Sequence, residues 1–367
     1  MILNDKSLKS DERAIFALRS LYDKYGYSQY KMSKFEEYDL YVRNKDFLIS
    51  PSVITFTDTD GRLMALKPDV TLSIIKNCHD IEGAVQKMYY NENVYRPGGS
   101  GTFREIMQVG LECIGDIDGY SVLEVVLLAA KSLESISEEW VLDISHLGVV
   151  SEIIGRLELS DGDVRKVLKC VSEKNVHGIG EICGDSDAAK ALRTLVSTYG
   201  EPKKVIETLR TLSVSECCIK ELSEIAEEIA SRGLSGNVRI DFSVTDDIKY
   251  YNGIVFRGFI NGVSQSVLSG GRYDNLLARM GKSFGAIGFA VYLDRLEELS
   301  SNEEKYDVDT LILYDEGENA GNVSRAVSRI AETGASVSAM RKIPEKFRYK
   351  KLLKLSGSEV TQLENNA

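Results

Sequence analysis

Histidine is scarce in this chain, with three in 367 residues, and the six cysteines (Cys78, Cys113, Cys170, Cys183, Cys217, Cys218) form no Cys-x-x-Cys pair. The two shortages exclude a structural zinc site of ordinary spacing, and the scattered thiols do not form a disulfide framework. No metal and no cofactor is expected. The opening MILNDKSLKSDERAIF carries no apolar signal segment, and no apolar run is long enough to span a bilayer. A soluble, cytoplasmic protein is expected. Basic residues are outnumbered 45 to 56, a net charge of −11, which argues against dedicated nucleic-acid binding. Apolar residues, by contrast, are plentiful: 43% hydrophobic content over this length supports two or three domains with real cores.

The most informative stretch is YRPGGSGTFREIMQVGLECIG, Tyr95 to Gly115. With a period of two from Arg104, one face carries Arg104, Ile106, Gln108, Gly110 and Glu112. The other carries Glu105, Met107, Val109, Leu111 and Cys113. From Met107 on, the second face is apolar and requires a core. The first offers a cation, an amide and a carboxylate, with a glycine where a ligand or backbone must come close. Residues 97–101 form a turn that returns an earlier strand ending at Arg96. A helix with Gln108 and Glu112 on its surface fits the glycine and the turn less well. The strand reading gives a hairpin with a polar, ligand-sized floor.

Before it, Lys9–Tyr25 reads as an amphipathic helix and Tyr27–Lys31 as extended. Phe47–Phe56 and Leu63–Leu66 read as strands around the Asp58–Arg62 turn. LKPDVT follows, with Asp69 and Thr71 two apart beyond Pro68, then a helix from Leu72 to Cys78. After it come an apolar helix at Ser121–Leu133 and a strand at Trp140–Ile144. From Val149 to Gly236 the pattern is helical throughout, and Cys217–Cys218 within it read as buried thiols. Strands return at Asn237–Phe242, Tyr250–Phe256 and Gly262–Leu268, the last leading into SGGRYDNLL. SFGAIGFA leads into a helix over Val291–Leu299 that carries Arg295. A last unit has a strand (Thr310–Tyr314), a helix (Ala320–Glu332), a strand (Ser336–Met340) and a basic end. EGENAG at Glu316–Gly321 reads as an ordinary βα turn.

In this order the pieces resemble the catalytic core of class II aminoacyl-tRNA synthetases, specifically the histidyl branch. Tyr95–Gly115 resembles motif 2 and FGAIGFAVYLDRL resembles motif 3. LSGGRYDNL, DDIKYYNGIVF and LKPDVT are similar to signatures of the histidyl branch, and the likeness covers roughly residues 8 to 300. The resemblance implies an α+β fold, an antiparallel sheet flanked by helices, with a helical insertion and a small C-terminal α/β unit. The expected domains are residues 1–148 with 237–302 as the core, 149–236 as the insertion and 303–367 as the last unit. It further implies a pocket for free histidine. Asp69, Thr71 and Gln108 match positions that hold the α-amino group, which gains from acceptors and a carboxylate. Glu112 and Tyr251 match positions that contact the imidazole, and Tyr250 and Tyr273 line the same cavity. Arg96, Arg104 and Arg295 match nucleotide-site positions, read here as vestigial.

The departures bear on function. Where the synthetase signature has the arginine that helps activate the amino-acid carboxylate, this sequence has Asp246. A carboxylate there repels both the substrate carboxylate and a phosphate, and losing such a cation costs about 10²–10³ in rate. Ser33 stands roughly where motif 1 has proline, Gly98 where motif 2 has an acid, and the segment after the core is shorter than a full anticodon-binding domain. A histidine pocket without activation chemistry is similar to the regulatory subunit of ATP phosphoribosyltransferase. That family implies no catalytic residues, a short-form catalytic partner chain, L-histidine as feedback effector, and a homodimer within a hetero-oligomer, without tRNA or membrane. The alternatives are an active histidyl-tRNA synthetase and an amino-acid-binding module with another role. Lys249 is a candidate substitute cation for the histidine carboxylate.

Overall fold

A computed structural model describes residues 10–45, 48, 52–79, 83–98, 102–245, 250–300 and 306–366, with backbone only at 297–300. Asp246 and Lys249 lie outside the described residues, as do most of the turn after Pro97 and part of the expected strand Phe47–Phe56. The chain divides into two compact units, Met1–Leu299 and Ser300–Ala367.

The first unit is built on a nine-stranded sheet. Its order is Ser28–Gln29, Val85–Pro97, Phe103–Gly115, Gly285–Tyr292, Leu268–Arg272, Ile254–Ile260, Trp140–His146, Val238–Asp241 and Tyr199–Gly200. Neighbours run antiparallel, except the outer pair at Ser28–Gln29 and the pairing of Trp140–His146 with Val238–Asp241. A three-stranded antiparallel sheet (Phe35–Glu37, Leu63–Leu66, Thr55–Thr57) accompanies it.

The apolar face of Phe103–Gly115 settles the layering. Val109, Leu111 and Cys113 pack with Leu18 and Tyr22 of the helix Ser10–Lys24 and with the helix Gly119–Ile136, whose residues Val122 to Ala130 are almost all buried. Asp118 starts that helix by accepting the Ser121 N–H at 2.8 Å. The helices between Leu147 and Ser231 share this core through residues such as Val150, Val167, Leu192 and Leu222. The opposite sheet face is left for the site.

Several boundaries differ from the sequence expectation. The run Gly262–Leu268 is not a strand; the strand is Leu268–Arg272, the glycine-rich stretch itself. A Cβ at Gly270 would overlap Phe289 and Gly288, and one at Gly271 would meet the Tyr251 ring and the Ile254 carbonyl. Glycine is what lets this strand enter the sheet. The strand expected from Tyr250 begins at Ile254, after a turn in which Asn252 N bonds the Arg272 carbonyl at 2.9 Å. The helix expected over Val291–Leu299 is a strand to Tyr292 and then a 3-10 helix from Leu293 to Ser300. Tyr199–Gly200 interrupts the helical region with a short strand. Of the adjacent thiols, Cys218 is buried and Cys217 exposed.

The second unit has a four-stranded sheet in the order Val337–Met340, Val308–Tyr314, Tyr349–Ser356, Glu359–Asn365, with the helix Ala320–Ala331 packed through Ala326. Its basic end forms the last antiparallel pair. Asn319 caps the helix by accepting the Gly321 N–H at 2.8 Å, as an ordinary βα turn does.

Candidate functional site

The polar face of the hairpin strand forms the floor of a cavity of about 870 Å³, within the range of small-molecule sites. Glu112 stands at its deep end, 2% exposed. Its Oε1 accepts from Thr71 Oγ1 at 2.8 Å, and its Oε2 accepts from the Tyr273 hydroxyl. Room for this carboxyl comes from the neighbouring strand, because a Cβ at Gly288 would overlap Oε2. Burial pushes the Glu112 carboxyl up to about 8, against the two hydrogen bonds that favour ionisation, and the charge of Asp69 adds to the rise.

Asp69 and Thr71 reach the cavity from the turn that follows Leu63–Leu66. Lys67 is wholly buried and donates to Glu92 Oε2 at 2.5 Å, and Arg96 Nε donates to the Pro68 carbonyl at 3.0 Å. Asp69 Oδ1 then accepts the Leu72 N–H at 3.0 Å, turning the chain into the helix Thr71–Asn77. Burial raises the Asp69 carboxyl, while the Leu72 N–H and Arg96 oppose the rise. Two acids in one desolvated cavity make it receptive to a cation.

Gln108 is 3% exposed, and its Nε2 has no hydrogen-bond partner. Rotating an amide by half a turn exchanges its donor for its acceptor. The unpaired end of Gln108 can therefore meet either an ammonium or an oxygen of a ligand. Tyr250, Tyr251 and Tyr273 form an aromatic wall, with ring centroids 4.7 Å apart for the first pair and 5.6 Å for Tyr250 and Tyr273. All seven residues expected around free histidine line this one cavity.

The three arginines separate. Arg96 and Arg295 line the cavity; Arg295 lies 4.3 Å over the Tyr292 ring and donates to the Ser266 carbonyl. Arg104 is exposed, points to Asp294 at 3.5 Å and is not part of the lining.

The lining also includes residues that sequence reasoning passed over. Tyr90 faces Gly110 across the hairpin register, and a Cβ at Gly110 would overlap its ring. The glycine signalled this close approach, but not its partner. Arg257 follows the YYNGIVF signature by one residue, and Arg165 and Lys169 are four apart on the helix Asp161–Ser172. Thr245, also buried, has an unpaired Oγ1.

Comparison with known proteins agrees with this architecture. Residues 3–296 match the family model for histidyl-tRNA synthetase. An ATP phosphoribosyltransferase regulatory subunit from Caldanaerobacter subterraneus subsp. tengcongensis is 30% identical over 86% of this chain and 87% of its own. The chain belongs to the histidyl-tRNA synthetase-like family of ATP phosphoribosyltransferase regulatory subunits. Two solved structures share the fold. One is an ATP phosphoribosyltransferase regulatory subunit/histidyl-tRNA synthetase from Bacillus halodurans, with TM-score 0.73, 22% identity and 96% of both chains covered. The other is in the ATP phosphoribosyl transferase (HisG:HisZ) complex from Thermotoga maritima, with TM-score 0.62, 19% identity, and 78% of this chain and 98% of that one covered. Among the described residues no helix is long and apolar enough to cross a membrane, and no group of three or more His, Cys, Asp or Glu is placed to hold a metal.

Proposed function

We propose that this chain is the non-catalytic, histidine-sensing subunit of ATP phosphoribosyltransferase. Catalysis resides in a short-form partner chain, and this subunit works as a homodimer within the hetero-oligomer. The observation that carries the reading is the buried Glu112 carboxyl, held by Thr71 and Tyr273 and facing Asp69 in one desolvated cavity. Asp69, Thr71 and Gln108 receive the α-ammonium. Glu112 and Tyr251 receive the imidazole, whose two nitrogens suit a carboxyl and a hydroxyl. An amino acid without such a ring leaves these buried groups unpaired, which is how a polar site gains selectivity.

Inhibition follows by linkage: histidine lowers activity only so far as it binds one state of the complex better than another. The names of the relatives support the pairing with a phosphoribosyltransferase. Calorimetry with the full chain and a panel of free amino acids tests the pocket. L-histidine is expected to bind at least about tenfold more tightly than any other. Folded protein that ignores L-histidine would remove the assignment.

A further inference from the structure

Among the described residues, two buried aliphatic hydroxyls have no hydrogen-bond partner, Ser145 Oγ and Thr245 Oγ1. Ser145 is wholly buried in the strand Trp140–His146, opposite Val255, and is not part of the cavity lining. Thr245 is 3% exposed and lines the cavity. The chain holds it there by a turn that is itself anchored. Asp241 ends the strand Val238–Asp241; its Oδ1 accepts the Ser243 N–H at 2.9 Å and its Oδ2 accepts from Lys174 Nζ at 2.6 Å. The Thr245 N–H then bonds the Ser243 carbonyl at 2.9 Å, and Val244 packs with Leu147 and Val255 beside Tyr251. An unpaired hydroxyl in such a place has lost its water and gained nothing, and valine would fill the same space without that cost. The hydroxyl is useful when a molecule in the cavity meets it.

A free amino acid offers three polar groups. The ammonium goes to Asp69, Thr71 and Gln108, and the ring goes to Glu112 and Tyr251, which leaves the carboxylate. Glu112 stands on the third strand of the nine, whereas Thr245 follows the eighth, so the two reach the cavity from opposite sides. Asp246, the residue after Thr245, replaces the arginine that serves the carboxylate in the synthetase resemblance. A carboxylate in a partly desolvated site is costly unless it is met by donors. It can only accept hydrogen bonds, and a threonine hydroxyl supplies a donor. The charge of the lining also suits an anion: among the described residues, five cationic side chains stand against Asp69 and Glu112.

We propose that Thr245 is a ligand-binding residue whose hydroxyl donates to the carboxylate of the bound amino acid and so helps to separate L-histidine from its decarboxylated amine. The assignment rests on the histidine-pocket reading. It orients the ligand with its ring toward Glu112 and its carboxylate toward the turn after Val238–Asp241.

Calorimetry with L-histidine and with histamine tests it on wild type, Thr245→Val, Thr245→Ser and Ser145→Ala, beside the thermal midpoint of each ligand-free protein. Thr245→Val is expected to weaken L-histidine by about 10- to 100-fold, the span of a hydrogen bond to a charged group. Histamine is expected to stay within about twofold, the mark of a lost pairwise interaction. The ligand-free midpoint of Thr245→Val is expected at or above that of wild type, because an unpaired buried hydroxyl has been removed. Thr245→Ser restores most of the affinity. Ser145→Ala removes the other unpaired hydroxyl, outside the lining, and leaves both ligands unchanged. Equal weakening of both ligands by Thr245→Val overturns the assignment. So does a lowered ligand-free midpoint, which would show the hydroxyl already bonded within the protein. Normal L-histidine binding by wild type and Thr245→Val alike removes this assignment alone, whereas wild type that ignores L-histidine removes the pocket reading and this assignment with it.

Discussion

Glu112→Gln keeps the shape of the buried carboxyl and removes its titration, so it isolates what burial does to this group. The native fold holds the Glu112 proton up to about pH 8, against an ordinary value of 4.5. The folded state therefore binds this proton more tightly than the unfolded chain. Its contribution to stability is intact below about pH 4.5 and is lost progressively as pH rises toward 8. From those two values the group takes away about 1 kcal/mol at pH 5 and about 3 kcal/mol at pH 7, a loss of about 2 kcal/mol between them. The carboxyl is 2% exposed, so solvent screening does not reduce the figure. Urea unfolding of wild type and Glu112→Gln at pH 5, 6, 7 and 8, without ligand, reads it directly. Titrating groups that do not interact with Glu112 cancel in the difference. The variant is expected to lose about 2 kcal/mol less than wild type between pH 5 and 7. Parallel curves would refute the argument that burial governs this carboxyl.

Other predictions follow from the same geometry. Asp69→Asn removes the charge facing the ligand ammonium and is expected to weaken L-histidine binding by about tenfold or more, measured by calorimetry. Gly288→Ala places a methyl on the Glu112 carboxyl and on the Leu111 carbonyl; it is expected to lower the thermal midpoint and abolish histidine binding, with only part of the stability cost relieved in Gly288→Ala/Glu112→Ala, because the backbone overlap stays. At pH 7 a bound ammonium lowers the Glu112 value, so binding is expected to release close to one proton, seen as a dependence of the observed enthalpy on buffer ionisation enthalpy. Exchange of close to no proton would mean that Glu112 stays protonated in the complex.

Much of the fold was legible because a few stretches allow one geometry only. The alternation in Phe103–Gly115 gave both the buried face and the site face, and the all-apolar Ser121–Leu133 announced a buried helix. The misreadings share a cause. Three of the five residues of Leu268–Arg272 are glycine or serine, so it has little strand propensity; it is a strand because Phe289 and Tyr251 occupy the space that side chains would fill. Gly262–Leu268 looked more strand-like, but it starts in a turn at Gly262, whose φ is positive, and joins the sheet only at its end, where Val267 N bonds the Gly258 carbonyl. At Val291–Leu299 the helical pattern was real, but pairing with Gln108 and Val109 carries the strand as far as Tyr292 first. For the site, motif residues with short sequence spacing were readable. Arg257, Tyr90 and the cations of Asp161–Ser172 reach the cavity through strand register and helix packing, which no local pattern encodes. Arg104 shows the converse: a motif position whose side chain the fold directs to solvent.

The most direct test of the account is phosphoribosyltransferase turnover by a short-form catalytic chain from the same organism, with and without this protein, across a titration of L-histidine. Turnover is expected to depend on this chain and to fall as histidine rises. Turnover that is unchanged by the chain, or that ignores histidine in its presence, would contradict the sensing role.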